Sequence, residues 1–147
     1  MPDILIKVPF IIKGKKGLPD TVFTTTNELK EFAVANRLCD KSMSADRAAR
    51  EVIPQESYYQ TKIIKEIKKW AEMGVIDKNA YVWKQQAGQF ANTGLPDVAL
   101  ITRTKDGHGQ IFFFEIKRPL LGRLTEMQQH MIERLSAAGA EIGRAHV

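Results

Sequence analysis

The chain contains one cysteine and no long apolar run. The single thiol, at Cys39, excludes an internal disulfide and a zinc site made of several cysteines, and it is typical of a reducing compartment. Because no stretch of about 18 apolar residues occurs, the sequence predicts no membrane span. The apolar N-terminal segment is interrupted by Lys7 and no small-residue cleavage site follows it, so we interpret it as a strand rather than a signal peptide. These absences predict a cytoplasmic protein.

The remaining composition is that of a globular protein with a mild basic bias. The length of 147 residues suits one domain with a small appendage, and 44% hydrophobic residues can bury a core. Lysine and arginine number 22 against 17 acidic residues, which gives a formal net charge of +5. This bias favours polyanions as partners. Many basic proteins bind no polyanion, so charge alone does not predict nucleic-acid binding.

The N-terminal third predicts short elements. Residues 4–12 (ILIKVPFII) favour a β-strand, in which Pro9 indicates an edge or a break. Thr25-x-x-Glu28 is a capping-box pattern, which predicts a helix to about residue 38. Residues 40–55 are polar and contain Pro54, so we interpret them as a linker with one short helical turn at most.

The rest of the chain predicts a helix, three strands and a second helix. Residues 56–73 carry an apolar stripe at helical spacing, followed by Gly74 as a C-terminal cap; the stripe consists of Tyr59, Ile63, Ile67 and Trp70. Residues 80–84, 98–102 and 110–117 are rich in β formers, and the Asp-Gly at 106–107 predicts a hairpin between the last two. A helix over 126–138 follows. This order predicts a mixed α/β fold.

The tetrapeptide GLPD occurs twice, at residues 17–20 and 94–97. No carboxylate-x-lysine on a strand follows the first copy, so we interpret it as a turn. The second copy precedes a strand, a hairpin and then FFFEIKRP. Alternation along a strand places Glu115 and Lys117 on one face. If the two strands pair, Asp97 reaches the same edge of the sheet.

Two converging carboxylates suit a hard divalent cation, because Mg²⁺ prefers oxygen ligands. Such an ion activates bound water and stabilises charge on a scissile phosphate, and the ammonium of Lys117 can orient the water. The alternative is a surface pair of Glu115 and Lys117 on an edge strand, together with a turn aspartate. The common tripeptide Glu-x-Lys alone favours that alternative. The whole pattern of Pro-Asp, strand, hairpin and Glu-x-Lys favours the metal site.

These residues resemble the PD-(D/E)XK nuclease signature, in which Pro96-Asp97 is followed by Glu115-Ile116-Lys117. The surrounding sequence is similar to that of the VRR-NUC branch of these nucleases, whose small stand-alone members occur in bacteriophages. It consists of YVWK at 81–84, GLPD at 94–97, FEIKRP at 114–119, Gly122, Thr125, Gln128 and Ala138-Gly139. The resemblance covers residues 56 to about 140. We therefore predict an N-terminal appendage of no assigned role over 1–50 and a nuclease core over 51–140.

The resemblance implies a role for each matching residue. Asp97 and Glu115 would bind Mg²⁺ or Mn²⁺, with the backbone carbonyl of Ile116 as a further ligand and Glu56 holding the metal through water. Lys117 would be the catalytic lysine and Gln128 the glutamine of the last core helix. Two of these positions have ordinary explanations as well. Glu56 is an acid at a helix N-terminus, and Thr125-x-x-Gln128 is a capping box.

Basic residues are candidates for contacts with nucleic acid. Arg118 and Lys84 lie close in sequence to the matched motifs, and Lys62 and Lys65 belong to a basic stripe on the helix over 56–73. A solvated helix face is the simpler explanation of that stripe. Lys84, at a strand end, is equally consistent with a phosphate contact and with simple solvation.

The resemblance implies a restriction-endonuclease-like core and a metal-dependent endonuclease that cuts branched, flapped or otherwise structured DNA with little sequence specificity. It also allows a homodimer and places the protein in a bacterial or phage-infected cytoplasm. Residues 141–147 (EIGRAHV) match the translation of a sequencing-library adapter, so we expect a non-native tail and a missing final strand. The alternatives are a nucleic-acid-binding module that does not cleave and a structural protein whose charged cluster is a salt-bridge network.

Overall fold

The computed structural model describes residues 4–5, 8–85 and 94–145. Its fold is mixed α/β. The strands are β1 (Ile4–Leu5), β2 (Phe10–Ile12), β3 (Thr21–Phe23), β4 (Tyr81–Lys84), β5 (Val98–Arg103), β6 (Gly109–Ile116), β7 (Arg123–Leu124) and β8 (Glu141–Ala145). The helices are α1 (Thr26–Ala35), α2 (Ala45–Val52), α3 (Glu56–Glu72) and α4 (Glu126–Ala137). In the described part of the chain, no helix is both long and apolar enough to cross a membrane.

The chain divides into two compact units. The first comprises Met1–Ile4, Glu56–Ile116 and Leu124–Val147, and the second comprises Leu5–Gln55 and Lys117–Arg123. The predicted appendage therefore forms a compact unit together with a short segment from much later in the chain. The division falls between residues 55 and 56, five residues after the predicted one.

A four-stranded sheet forms the centre of the first unit, in the order β4-β5-β6-β8. Strands β4, β5 and β6 pair antiparallel, and the predicted hairpin between β5 and β6 is present. Gly107, with φ of 84°, occupies its turn, as an Asp-Gly turn requires. The Thr104 hydroxyl bonds the exposed Asp106 carboxylate there and lowers the pKa of that group. His108 is exposed in the same turn.

The fourth strand corrects the prediction that the final strand is missing. Residues Glu141–Ala145 form β8, which pairs parallel to β6 from Phe112 to Ile116. Strand pairing uses main-chain groups that every non-proline residue carries, so a segment with no family pattern can still occupy a sheet edge. Gly143 fits this position closely, because a Cβ there would lie 2.8 Å from the ring of Phe114.

Helix α3 follows the predicted bounds closely and packs against β4 and β6. Tyr59 and Ile67 of the predicted stripe are buried, and so is Ala71. Trp70, the last member of the predicted stripe, is 38% exposed. Each helical residue turns about 100°, which places Trp70 at the margin of a stripe centred on Ile67 and Ala71. Gly74 ends the helix with φ of 74°, as predicted.

The second unit contains the β2–β3 hairpin and two packed helices, α1 and α2. The first GLPD copy forms the hairpin turn, with Gly17 at φ of 86° and the Gly14 N–H donating to the Asp20 carboxylate at 2.9 Å. This confirms the interpretation of that copy as a turn. Helix α1 begins after Thr25, whose hydroxyl accepts from the Glu28 N–H, which confirms half of the predicted capping box. The Glu28 carboxylate accepts from the N–H and the hydroxyl of Thr24, and the helix ends three residues before the predicted end.

Helix α2 corrects the prediction that residues 40–55 are a linker. It spans eight residues, and the hydroxyl of Ser44 caps it by accepting from the Arg47 N–H. Its buried face consists of Ala48 and Ala49, both fully inaccessible. Alanine is the best helix former, but it gives little hydrophobic signal. The periodic apolar pattern that indicates a packed helix is therefore weak in the sequence.

Candidate active site

Strand register brings Asp97 and Glu115 to the same place in the sheet. Val98 pairs with Phe114 at the end of the β5–β6 ladder. The same antiparallel register, extended by one residue, places Asp97 opposite Glu115. Residues directly opposite in such a pair project to the same face, with Cβ atoms about 4.5–5.5 Å apart. We therefore expect the two carboxylates on one face, at the end where the two inner strands β5 and β6 meet.

Two backbone contacts fix Asp97 at this end of the strands. The Ile116 N–H donates to its Oδ2 at 3.0 Å. On its other side, the Gln85 N–H donates to its carbonyl oxygen at 2.7 Å, which continues the β4–β5 ladder. Asp97 is thus held between both neighbouring strands, although it lies one residue before β5.

Glu115 is a carboxylate buried in an apolar strand. It is 4% exposed and lies between the buried residues Phe113 and Ile116. Its Oε1 accepts from Gln128 Nε2 at 3.4 Å. Burial of a carboxylate is costly unless the group is paired, hydrogen-bonded or bound to an ion, so its position requires polar partners such as this amide.

Gln128 serves two structural roles at once. Its backbone N–H donates to the Thr125 hydroxyl at 3.1 Å, and its Oε1 accepts from the Thr125 N–H at 2.9 Å. This is the complete capping box predicted at the start of α4. Because Oε1 is held by the cap, Nε2 is directed to Glu115. The capping function and the contact with the candidate site are therefore compatible.

The second GLPD copy sets the path of the chain into β5. Gly94 has φ of 85°, and a Cβ there would lie 2.8 Å from the carbonyl oxygen of Met127. Pro96, two residues later, is fully buried. Glycine is therefore needed here both for its backbone conformation and for the close approach to α4. Residues 86–93, which precede this turn, lie outside the described residues.

Glu56 lies at the start of α3, as predicted, and is half-buried. Gln60, one turn later, is 7% exposed and its Nε2 donates to Glu56 Oε1 at 3.4 Å. The sequence interpretation did not single out Gln60; the available signal was a polar residue on the flank of the apolar stripe, one residue after Tyr59. A buried amide next to a half-buried carboxylate restricts the orientation of Glu56.

The oxygen ligands do not form a larger acidic cluster. Over residues 4–5, 8–85 and 94–145, no three His, Cys, Asp or Glu side chains are grouped so that they could hold a metal ion. The expected role of Glu56 through water stays a prediction, as does the role of the Ile116 carbonyl.

Lys117 follows β6 directly and belongs to the second unit, together with Arg118 and Gly122. Arg118, which was predicted to contact phosphate, makes hydrogen bonds within the second unit. Its guanidinium donates to the carbonyl oxygens of Arg50, Ile53 and Pro54, at 2.9, 2.6 and 3.1 Å. These oxygens lie at and just after the C-terminal turn of α2.

The other predicted nucleic-acid contacts are exposed lysines. Lys62 and Lys65 lie on the exposed face of α3, and Lys62 Nζ is 5.9 Å from the ring centre of Tyr58. Lys84 is exposed at the end of β4 and pairs with Val98. Alternation therefore directs Lys84 to the face opposite that of Asp97.

Comparison with known proteins identified no relative from which a function could be inferred. A scan against family models, a search of curated proteins and a search of solved structures each found no match.

Proposed function

We propose that this protein is a divalent-metal-dependent nuclease that hydrolyses phosphodiester bonds in DNA. The observation that carries the proposal is the hydrogen bond of 3.0 Å from the Ile116 N–H to Asp97 Oδ2, which holds the Asp97 carboxylate at the residue next to the buried Glu115. The similarity of Pro96-Asp97 and Glu115-Ile116-Lys117 to the PD-(D/E)XK signature supports the same reading from the sequence.

The donor atoms at this position fit Mg²⁺ or Mn²⁺. Both side chains are carboxylates, and Glu115 is buried with an amide on one of its oxygens. Oxygen donors of this kind suit hard cations, and Mg²⁺ commonly uses one or two carboxylates and keeps several waters. When bound, the ion would activate a water and neutralise charge on the scissile phosphate. Asp97, Glu115 and the carbonyl of Ile116 would hold it.

The chain's own groups would orient the reactants. The Ile116 N–H restricts the Asp97 carboxylate through its 3.0 Å hydrogen bond, and the Gln128 amide restricts that of Glu115. Two carboxylates that hydrogen bonds already hold in place lose less conformational entropy when the ion binds. Lys117 would bring a positive charge to the reacting phosphate or to the attacking water, a role we assign from the sequence signature.

Nucleic acid is the proposed substrate class because recognition would act on phosphates, and we propose DNA rather than RNA on the basis of the family resemblance. The chain carries a net charge of +5, and Lys62 and Lys65 are exposed. Phosphate contacts position a protein on nucleic acid without reading bases, so we propose little sequence specificity and a strong dependence on salt. Branched and flapped structures are the proposed preferred substrates, on the basis of the family resemblance.

Cleavage assays with matched variants test the proposal. Supercoiled plasmid and branched DNA would be incubated with Mg²⁺ or Mn²⁺ and with wild type, Asp97→Asn, Lys117→Ala or Asp106→Asn. Asparagine keeps an oxygen that accepts from the Ile116 N–H, so Asp97→Asn removes the charge and preserves the fold. Asp106→Asn makes the same chemical change in the exposed hairpin turn. We expect metal-dependent cutting that is lost in the first two variants and retained in the third.

Other results would redirect the assignment. A folded wild type that binds DNA with salt-dependent affinity and cuts none is a binding module. A folded wild type that neither binds nor cuts DNA fits a structural protein in which the charged groups form an ion-pair network. Cutting that survives both Asp97→Asn and Lys117→Ala excludes this site.

A further inference from the structure

We propose that Arg118 and Gly122 are positioning residues for Lys117. The proposal rests on the proposed function, because it presumes that Lys117 takes part in the reaction. Lys117, Arg118, Gly122 and α2 all belong to the second unit.

Arg118 ties the residue next to Lys117 to the end of α2. The last carbonyl groups of a helix have no partner within the helix and carry its negative dipole end. Arg118 Nη2 donates to Arg50 and Ile53, and Nε donates to Pro54. A guanidinium offers these donors in one rigid plane, which an ammonium cannot reproduce. The half-buried Arg118 therefore holds its own backbone, and with it the backbone of Lys117, against α2.

The turn after Arg118 is closed by further bonds. The Gly122 N–H donates to the Arg118 carbonyl at 2.9 Å, and the Leu120 N–H donates to the Val8 carbonyl at 2.9 Å. Leu120 is buried and has φ of 59°, a conformation that branched residues seldom adopt. Such strained backbone persists only where the surroundings enforce it. The segment after Lys117 is therefore held rigidly within this unit.

Gly122 contacts the lysine side chain itself. A Cβ at this position would lie 2.5 Å from Lys117 Cβ, 3.3 Å from its Cγ and 2.9 Å from the Arg118 carbonyl oxygen. Any larger residue would push the stem of Lys117 aside. Glycine at residue 122 thus leaves the space that the stem of the Lys117 side chain occupies.

The test compares rates, affinities and amide exchange in matched variants of the full chain. Arg118→Gln removes the guanidinium that donates to Arg50, Ile53 and Pro54. Arg50→Gln is its control, because this variant loses the same charge while the Arg50 carbonyl remains. Gly122→Ala introduces the clash, and Gly109→Ala is its control, because no atom lies within 4 Å of a Cβ there. Each is made in wild type and in Lys117→Ala.

We expect Arg118→Gln and Gly122→Ala to lower the single-turnover cleavage rate by about 10- to 100-fold, since small displacements of reacting groups have effects of this size. Their KM for DNA should stay within about twofold of the controls. In the Lys117→Ala background neither change should lower the residual rate further, because both act through the lysine. Arg118→Lys should recover only part of the rate. Exchange of the Leu120 and Gly122 amides should accelerate in Arg118→Gln and stay unchanged in Arg50→Gln.

Three results would overturn the proposal. A raised KM with an unchanged rate, fully restored by Arg118→Lys, would make Arg118 a phosphate contact. Equal losses in the wild-type and Lys117→Ala backgrounds would make both residues merely structural. Unchanged amide exchange in Arg118→Gln would show that the Arg118 guanidinium does not hold the turn. If the wild type cuts no DNA, the proposed function fails, and the amide exchange alone then decides whether Arg118 holds this segment.

Discussion

Replacing Gln128 by glutamate separates the two roles of this side chain. Oε1 of Gln128 caps α4, and Nε2 donates to the buried Glu115 at 3.4 Å. Glutamate has the same shape and is the usual acid of a capping box, so the cap is retained. The donor to Glu115 is lost, however, and a second carboxylate takes its place.

The size of the effect follows from the distance. Two unit charges about 3.4 Å apart repel by roughly 1 kcal/mol in water and by roughly 5 kcal/mol at an effective dielectric constant of 20. Glu115 is buried, Gln128 is half-buried and the new carboxylate can rotate away. We therefore expect Gln128→Glu to lower the free energy of unfolding by about 1–3 kcal/mol at pH 7. The gain from an acid in the first helical turn, about 0.3–1 kcal/mol, offsets only part of this loss.

The loss of stability in Gln128→Glu should increase as the pH rises. In the folded variant, each carboxylate raises the pKa of the other above its value in the unfolded chain. The folded state therefore binds a proton more readily than the unfolded state. The destabilisation is absent at about pH 4, near the unfolded value for glutamate, and grows as pH rises through the raised pKa.

Urea unfolding of wild type, Gln128→Glu and Thr125→Ala at pH 4 and pH 7 measures this difference. Thr125→Ala removes the cap alone, at a cost of about 1 kcal/mol that should not change between the two pH values. Added Mg²⁺ should stabilise Gln128→Glu more than wild type, since an ion that binds only the folded state raises its stability. Equal losses in Gln128→Glu at both pH values would refute the contact between Gln128 and Glu115.

Three further predictions concern the turn before β5, the final strand and the basic face of α3. Gly94→Ala should lower the free energy of unfolding by more than Gly107→Ala, because both have positive φ, which costs about 1–2 kcal/mol, but only a Cβ at Gly94 meets other atoms. Urea unfolding measures the difference, and equal losses would contradict the close approach to α4. Removal of residues 141–147 should expose the edge of β6 and cause concentration-dependent association, measured by light scattering; a molecular mass that does not rise with concentration would show that β8 does not protect this edge. Replacing both Lys62 and Lys65 by glutamine should reduce the slope of log affinity for DNA against log salt by about two, and an unchanged slope would leave α3 outside the interface.

Elements with large apolar side chains at regular spacing were predictable from the sequence. Helix α3 and the β5–β6 hairpin appear within one or two residues of the predicted bounds. Helix α2 was missed because alanines form its buried face. Strand β8 was missed because its residues have no pattern of their own and depend on the edge that β6 offers. Local sequence patterns indicate elements that bury large side chains. The formation of other elements, such as α2 and β8, depends on the helix or strand that each one packs against or pairs with.

The candidate site was predictable to the extent that it follows from strand register. The sequence predicted Asp97 and Glu115 at one edge, since alternation and a two-stranded hairpin determine that geometry. The phosphate contact at Arg118 stays a prediction, and the sequence did not indicate that its guanidinium donates to three carbonyl groups around the end of α2. No sequence rule pairs a residue near 118 with one near 50, because that contact depends on how α2 packs. The burial of Gln60 beside Glu56 depends on packing in the same way.

The two GLPD copies show why the setting of a motif decides its chemistry. In the first copy, the Asp20 carboxylate accepts from the Gly14 N–H in an exposed turn, and β3 follows. In the second, the Asp97 carboxylate accepts from the N–H of Ile116, next to a buried glutamate on the paired strand. Both aspartates therefore accept from a backbone N–H, but the donor lies within the same turn for Asp20 and on the paired strand for Asp97. A carboxylate buried in an apolar strand breaks the local pattern that packing favours, and such breaks are expected at functional sites. The strand register that brings Glu115 to Asp97 is thus the strongest reason to assign the chemistry to the second copy.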